Sequence, residues 1–281
     1  MTLKDLFPDM QVGSFPLPDQ DWISIEEEGH YLHFPKDSLS EREQLLLALG
    51  RGQQVSLGQL RSPWYHYLLE HEGQPPESFE NCQLIYLNHH LPLSLELIDL
   101  LRGMIGQVEA VLPISQTRTA LLCPQESSSD LLQLLGDLLP TIESDFGLAL
   151  TIFMGNSWHK VAASSLRDCF EEENRLLTAY LSQKSAGHLL TFSEVILWGL
   201  LTGQSLPSVM AYFNQRIKES SEVAELVKAM WQSHANLVQT AQKLFIHRNS
   251  LQYKLDKLSH QTGLNLKHLD DLAFAYLLTQ K

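Results

Sequence analysis

Apolar and polar positions alternate in two short stretches near the start of the chain, Trp22 to Ile25 and His30 to Phe34, on either side of an acidic segment around Gly29. That period of two predicts a β-hairpin. The spacing then changes. Ser40 and Glu43 stand as the two ends of a capping box, each side chain serving a backbone N–H of the other, and a leucine-rich helix follows to Gly50. Leu57, Leu60, Trp64, Tyr67 and Leu68 share a helical face behind Ser56, with Pro63 kinking or restarting that helix. Gly73 to Ser78, with Pro75 and Pro76, is the clearest linker.

Strand and helix patterns alternate through residues 82–191. Short strands are predicted at Gln83 to Leu87, at Val108 to Ile114 and Thr119 to Cys123 around a polar turn, at Leu148 to Met154, and at an edge, Leu189 to Phe192. Helices are predicted at Ser94 to Ile105, with Leu97, Leu101 and Met104 on one side, at Ser129 to Phe146, and at Val161 to Leu181. Such alternation around one hairpin indicates an α+β or α/β sandwich. Only helices follow: Glu194 to Leu201, Pro207 to Lys218 and Glu222 to Ser233. The chain therefore reads as α+β and multidomain. Residues 1–78 are a mixed α/β region and candidate sensor, 79–192 an α/β sandwich, 193–235 a helical connector, and 236–281 an all-α domain.

The last segment has the layout of a helix-turn-helix. Asn236 is a good N-cap for a helix in which Leu237, Ala241 and Leu244 fall on one face, and the small Ala241 allows a close crossing. Phe245 stands at the turn, and Ile246 can plug the angle between the two helices. A second helix starts near His247 to Asn249, with either residue as its cap. It buries Leu251, Leu255 and Leu258 and ends at Gly263. A last helix, Leu266 to Leu278, turns Leu269, Leu272, Ala273 and Tyr276 inward as a brace. The exposed residues of the second helix suit DNA. Its first turn, with His247, Arg248, Asn249, Ser250 and Gln252, would face bases in the major groove, where Arg reads guanine and Asn or Gln reads adenine. Lys243, Tyr253, Lys254 and Lys257 would hold phosphates. Periodicity alone leaves a plain packing hairpin as the alternative.

Charge sharpens this picture. The whole chain carries −13, yet His234 to Lys281 holds six Lys or Arg against three Asp, a net +3, leaving −16 for the rest. Attraction to phosphate would be local to the tail, and the body would repel DNA.

The run Thr240-Ala241-Gln242-Lys243-Leu244-Phe245-Ile246-His247-Arg248-Asn249-Ser250-Leu251-Gln252-Tyr253-Lys254-Leu255 resembles the C-terminal helix-turn-helix of PucR/CdaR-type bacterial regulators. His247-Arg248-Asn249 and Tyr253 match the family pattern. Ser250 replaces a Thr and Lys254 an Arg, and the second change trades a bidentate fork for a point charge. The resemblance implies a DNA-binding transcription regulator. It also implies a degenerate GGDEF-like domain upstream, and residues 82–191 have the right order of elements. Ser115 to Arg118 lacks the carboxylates and glycines that a diguanylate cyclase needs at its central hairpin, so no enzyme activity is expected.

Other chemistry is thin. Cys82, Cys123 and Cys169 make no metal or disulfide spacing and read as buried thiols of a cytoplasmic protein. No apolar run approaches a membrane span, and Met1 to Pro18 lacks a secretory layout. His30 with His33, and His89 with His90, lack partner ligands, so no metal or cofactor is expected. Glu26 to Glu28 and Glu171 to Glu173 read as solvated faces, and the tryptophans Trp64, Trp158, Trp198 and Trp231 as core. Double-stranded DNA is the expected partner. A homodimer or higher even assembly is expected too, with Trp198, Leu201, Val209 and Phe213 offered as interface, and a small-molecule effector has room in the scheme. The competing reading is a non-catalytic scaffold whose C-terminal helices bind a protein.

Overall fold

The computed structural model describes residues 6–13, 21–27, 30–50, 62–74, 76, 80–90, 93–124, 129–184, 188–218 and 220–280. The predicted hairpin is present, β2 (Trp22–Glu27) pairing antiparallel with β3 (His30–Pro35), and β1 (Gln11–Gly13) adds to the far side of β3. Ile23, Phe34 and Leu39 bury a small core there. The capping box opens α1 (Glu41–Gly50): the Ser40 N–H donates to Glu43 Oε2 at 2.9 Å, and the Glu43 N–H to Ser40 Oγ at 3.3 Å. The helix expected from Ser56 lies outside the described residues as far as position 61. What is described, α2 (Pro63–Leu68), starts afresh at Pro63. Ser62 caps it, and proline fits a first turn whose N–H would lack a partner in any case. Of the linker, positions 75, 77 and 78 lie outside the described residues.

The central sheet has five strands in the order β5-β6-β4-β7-β8. They are β4 (Asn81–His89), β5 (Ala110–Ser115), β6 (Arg118–Cys123), β7 (Leu150–His159) and β8 (Leu189–Thr191), antiparallel except for β7 with β8. Helices α3 (Leu95–Ile105) and α4 (Ser129–Phe146) cover one face. The other face meets α2, α5 (Ala163–Gln183) and the C-terminal helices. Along β4 the two faces alternate: Ile85 and Leu87 look to α3 and α4, while Cys82, Leu84 and Tyr86 look to the opposite core. Covered on both faces, β4 carries an unbroken apolar run only over Leu84 to Leu87, and its polar ends, Asn81 and Asn88 to His89, fell outside the predicted extent.

β7 runs on past Met154 to His159, through Gly155 and Asn156, where the sequence pattern expects it to stop. Gly155 marks a close approach there. A Cβ at that position would sit 2.6 Å from Leu84 O and 2.7 Å from Glu173 Oε2, beside a shift of register between Gln83 and Ile85.

The Glu171 to Glu173 run is not a solvated face. Glu172 is 5% exposed and its carboxylate accepts the Ser208 and Val209 N–H groups, both at 2.9 Å, at the start of α7 (Pro207–Phe213). Glu173 is fully buried. It accepts the Asn156 N–H at 2.9 Å and the Tyr86 hydroxyl at 3.0 Å, and burial raises its pKa to about 8. Burial also pushes the Cys82 and Cys123 thiols up to about 12, and all three cysteines are free and buried.

After α6 (Phe192–Leu201), the segment expected as one helix to Lys218 is α7 followed by a π-helical turn, Asn214–Lys218. α8 (Ser221–Gln232) completes this layer. Val209 and Phe213, offered as dimer contacts, are core residues of the chain itself, 1% and 0% exposed, whereas Leu201 is 86% exposed. Trp198 packs edge-to-face on Tyr180, and Trp231 is a partly exposed plate stacked on Tyr276 rather than core. No described helix is long and apolar enough to cross a membrane.

Candidate nucleic-acid interface

α9 (Leu237–Lys243) and α10 (Arg248–Thr262) form the predicted pair. Two consecutive left-handed residues, His234 and Ala235, turn the chain out of α8. Asn236 then caps α9, its Oδ1 accepting the Val238 and Gln239 N–H groups at 3.0 and 3.1 Å. Ala241 is buried at the crossing, with Leu237, Leu244 and Ile246 half-buried against the same core. Thr240 is fully buried too, its hydroxyl donating to Asn236 O at 2.8 Å. It lies three residues from Leu237 and four from Leu244, so helical spacing was enough to find it.

The turn is made without glycine. Phe245 takes φ +53°, its N–H donating to Gln242 O at 3.1 Å, and its side chain is 95% exposed. His247 is the cap of α10, its Nδ1 accepting the Asn249 N–H at 3.2 Å, which places the ring proton on Nε2 when the ring is neutral. Leu251, Leu255 and Leu258 are buried as predicted, and Gly263 ends the helix at φ +81°.

The brace is rotated from its expected face. α11 (Leu269–Leu278) buries Leu272, Phe274, Ala275 and Leu278, leaves Ala273 and Tyr276 half-buried, and leaves Leu269 69% exposed. Asp271 turns it: its carboxylate accepts the Asn265 N–H at 2.7 Å and the Ser193 hydroxyl, drawing that side of the helix inward. Leu266 is buried in the preceding turn rather than in the helix.

Of the predicted contact residues, Lys243, His247, Arg248, Asn249, Ser250, Tyr253 and Lys257 are exposed. The first turn of α10 and its flank thus form one accessible surface. Arg248 meets no carboxylate among the described residues. Two residues differ from expectation in being half-buried and engaged. The Gln252 amide donates to Asp256 at 2.5 Å, and the Lys254 ammonium pairs with Glu222 of α8. Lys267 also approaches Asp256, at 3.7 Å. One histidine of each pair flagged in the sequence is buried, His33 against Ser24 at 2.9 Å and His89 against Thr119 at 3.2 Å, while His90 is exposed. Among the described residues one group with ligand spacing was missed, His66, Glu70 and Glu72, whose ligand atoms lie within 4.8 Å of one another. His66 Nδ1 and Glu70 Oε2 already lie within hydrogen-bond distance of each other, at 2.5 Å.

Residues 223–278 match the PucR C-terminal helix-turn-helix domain, a match that begins inside α8. The chain thus falls in the class of proteins that carry this module. Over all 281 residues, the full length of both chains, it is 58% identical to the leucine-rich protein of Streptococcus dysgalactiae subsp. equisimilis, and it belongs to that protein's family. Over 53 residues, 18% of this chain and 14% of the other, it is 42% identical to the carbohydrate diacid regulator of Escherichia coli (strain K12). The crystal structure of a regulator of polyketide synthase expression from Bifidobacterium adolescentis superposes over 73% of this chain and 80% of its own. The TM-score is 0.33 at 16% identity, too low to define the fold.

Proposed function

We propose that the protein is a sequence-specific DNA-binding transcription regulator of the PucR/CdaR type. The observation that carries this reading is the open first turn of α10, presented by a capped and packed α9–α10 pair inside a segment that matches the PucR domain. In this reading α10 enters the major groove. Arg248 and Asn249 read bases, with His247, Ser250 and Gln252 beside them, and Lys243, Tyr253, Lys254 and Lys257 hold phosphates. The α/β unit serves dimerisation or signal relay as a degenerate GGDEF-like domain without catalysis, and the protein works in the cytoplasm as a homodimer. A pair is favoured because one module with a net +3 releases few counterions, whereas two joined copies gain by effective concentration.

The test is selection from a random duplex pool with the full-length protein at two salt concentrations, with sedimentation at micromolar concentration alongside. Enrichment of one sequence, an inverted repeat for a dimer, and binding that weakens steeply with salt are expected. No enrichment at either salt would instead favour a scaffold whose C-terminal helices bind a protein.

A further inference from the structure

A helix leaves its last carbonyls without partners of its own. At the end of α10 the Gly263 N–H takes Ser259 O at 2.7 Å, an ordinary left-handed cap. The helix's last two carbonyls are taken from outside the helix-turn-helix. The Tyr212 hydroxyl of α7 donates to Gln261 O at 3.0 Å, and the Asn156 amide of β7 donates to Thr262 O at 3.0 Å.

Both donors are held firmly. Asn156 is 2% exposed, its N–H donates to Glu173 and its amide also to Ser157 O, while its Oδ1 has no hydrogen-bond partner among the described residues. That oxygen faces Gly263, where a Cβ would come within 2.5 Å of it and 2.6 Å of Ser157 O. Tyr212 accepts the His159 N–H at 3.0 Å, packs edge-to-face on Trp158 at 4.8 Å, and lies under the Arg216 guanidinium at 3.7 Å.

We infer that Asn156 and Tyr212 are positioning residues for DNA recognition: they bolt the far end of α10 to the sheet and so set the angle at which Arg248 and Asn249 meet the groove. This rests on the DNA-reading function proposed above. The lever is long. Fifteen residues make α10 about 22 Å, so a tilt of about 5° at the anchored end carries the other end about 2 Å, against a tolerance of about 0.5 Å in a site held for recognition.

The experiment uses full-length Tyr212→Phe, which keeps the ring contacts, and Asn156→Ala. Ile98→Val, buried on the opposite face of the sheet, controls for general loss of stability. Affinities for the selected duplex and for a scrambled one are measured at one salt concentration, together with amide exchange at residues 261–264. Both clamp variants should lose about tenfold in the ratio of selected to scrambled binding, with scrambled binding within about twofold of the parent and faster exchange at Gly263 and Leu264. The Ile98→Val ratio should not move. A folded Tyr212→Phe with an unchanged ratio overturns the inference, as does an equal loss in Ile98→Val. Tyr212→Phe decides alone if Asn156→Ala fails to fold. A parent protein that prefers no duplex removes the DNA reading itself and this inference with it. Retained parental discrimination with unchanged variant ratios removes the inference alone.

Discussion

The ammonium of Lys254 on α10 is paired with the carboxylate of Glu222 at the start of α8. A cation in the matched domain is thus already partnered within the chain, and a phosphate brought to it would compete with Glu222 for the ammonium. The exchange also touches the Glu222 pKa, which the Lys254 hydrogen bond and charge hold below the usual carboxylate range.

Glu222→Gln should therefore tighten DNA binding a few-fold for all sequences alike and steepen its salt dependence by about 0.9 in log–log slope, one added phosphate contact. Anisotropy titrations at 50 and 200 mM salt, chosen to span about one decade or more in affinity, check this. Adding Lys254→Ala should erase the gain; a gain that survives it means Glu222 acts elsewhere.

Arg248→Ala or Asn249→Ala should change preference among operator variants by about 1–3 kcal/mol, because a lost bidentate base contact discriminates between bases. Lys257→Ala should weaken every duplex to a similar degree. Competition among single-base variants of the selected site separates the two outcomes, and uniform losses at all three positions would contradict the assignment.

Glu173 links stability to pH. Its folded pKa, raised by burial to about 8, lies above the ordinary 4.5, so the folded chain holds a proton there that the unfolded chain releases. The contribution is fully present below pH 4.5 and is lost as pH rises through 8, falling by about 1.4 kcal/mol per pH unit in between. Glu173→Gln, an isostere of the protonated acid, should remove this slope. Urea midpoints from pH 5 to 9 for both proteins test it, and parallel curves would show that Glu173 is ionised in the fold.

Phe245 holds φ +53° with its ring 95% in solvent. Glycine there relieves a left-handed strain of about 1–2 kcal/mol and adds roughly 0.5–1 kcal/mol of unfolded-chain entropy. Phe245→Gly should leave thermal stability unchanged or slightly higher. A fall of several degrees would mean that the ring has a partner in the folded assembly.

The C-terminal pair was readable from the chain because its signals are local: Asn236, His247 and Gly263 cap, and Leu251, Leu255 and Leu258 repeat at helical steps. What periodicity missed depends on contacts distant in sequence. Gly155-Asn156 looks like a strand end, yet β4 and Glu173 press on it and keep it extended. Glu172 and Glu173 look solvated until the N–H groups of α7 and β7 arrive. Val209 and Phe213 look available for a second copy until the sheet, α6 and α11 close over them. In α11 a single carboxylate, Asp271, outweighed the leucine pattern and left Leu269 outside.

One core continues from the sheet into the terminal helices, with Trp158 on β7 against Phe213, and Phe213 against Phe274 of α11 at 4.9 Å. Melting of the two parts is therefore coupled. Whatever α10 binds withdraws folded protein by mass action, and a ligand at 100 times its Kd adds roughly 2.7 kcal/mol to the stability of every residue that melts in the same transition. Trp158, on the sheet side of that shared core, becomes a reporter of occupancy at α10.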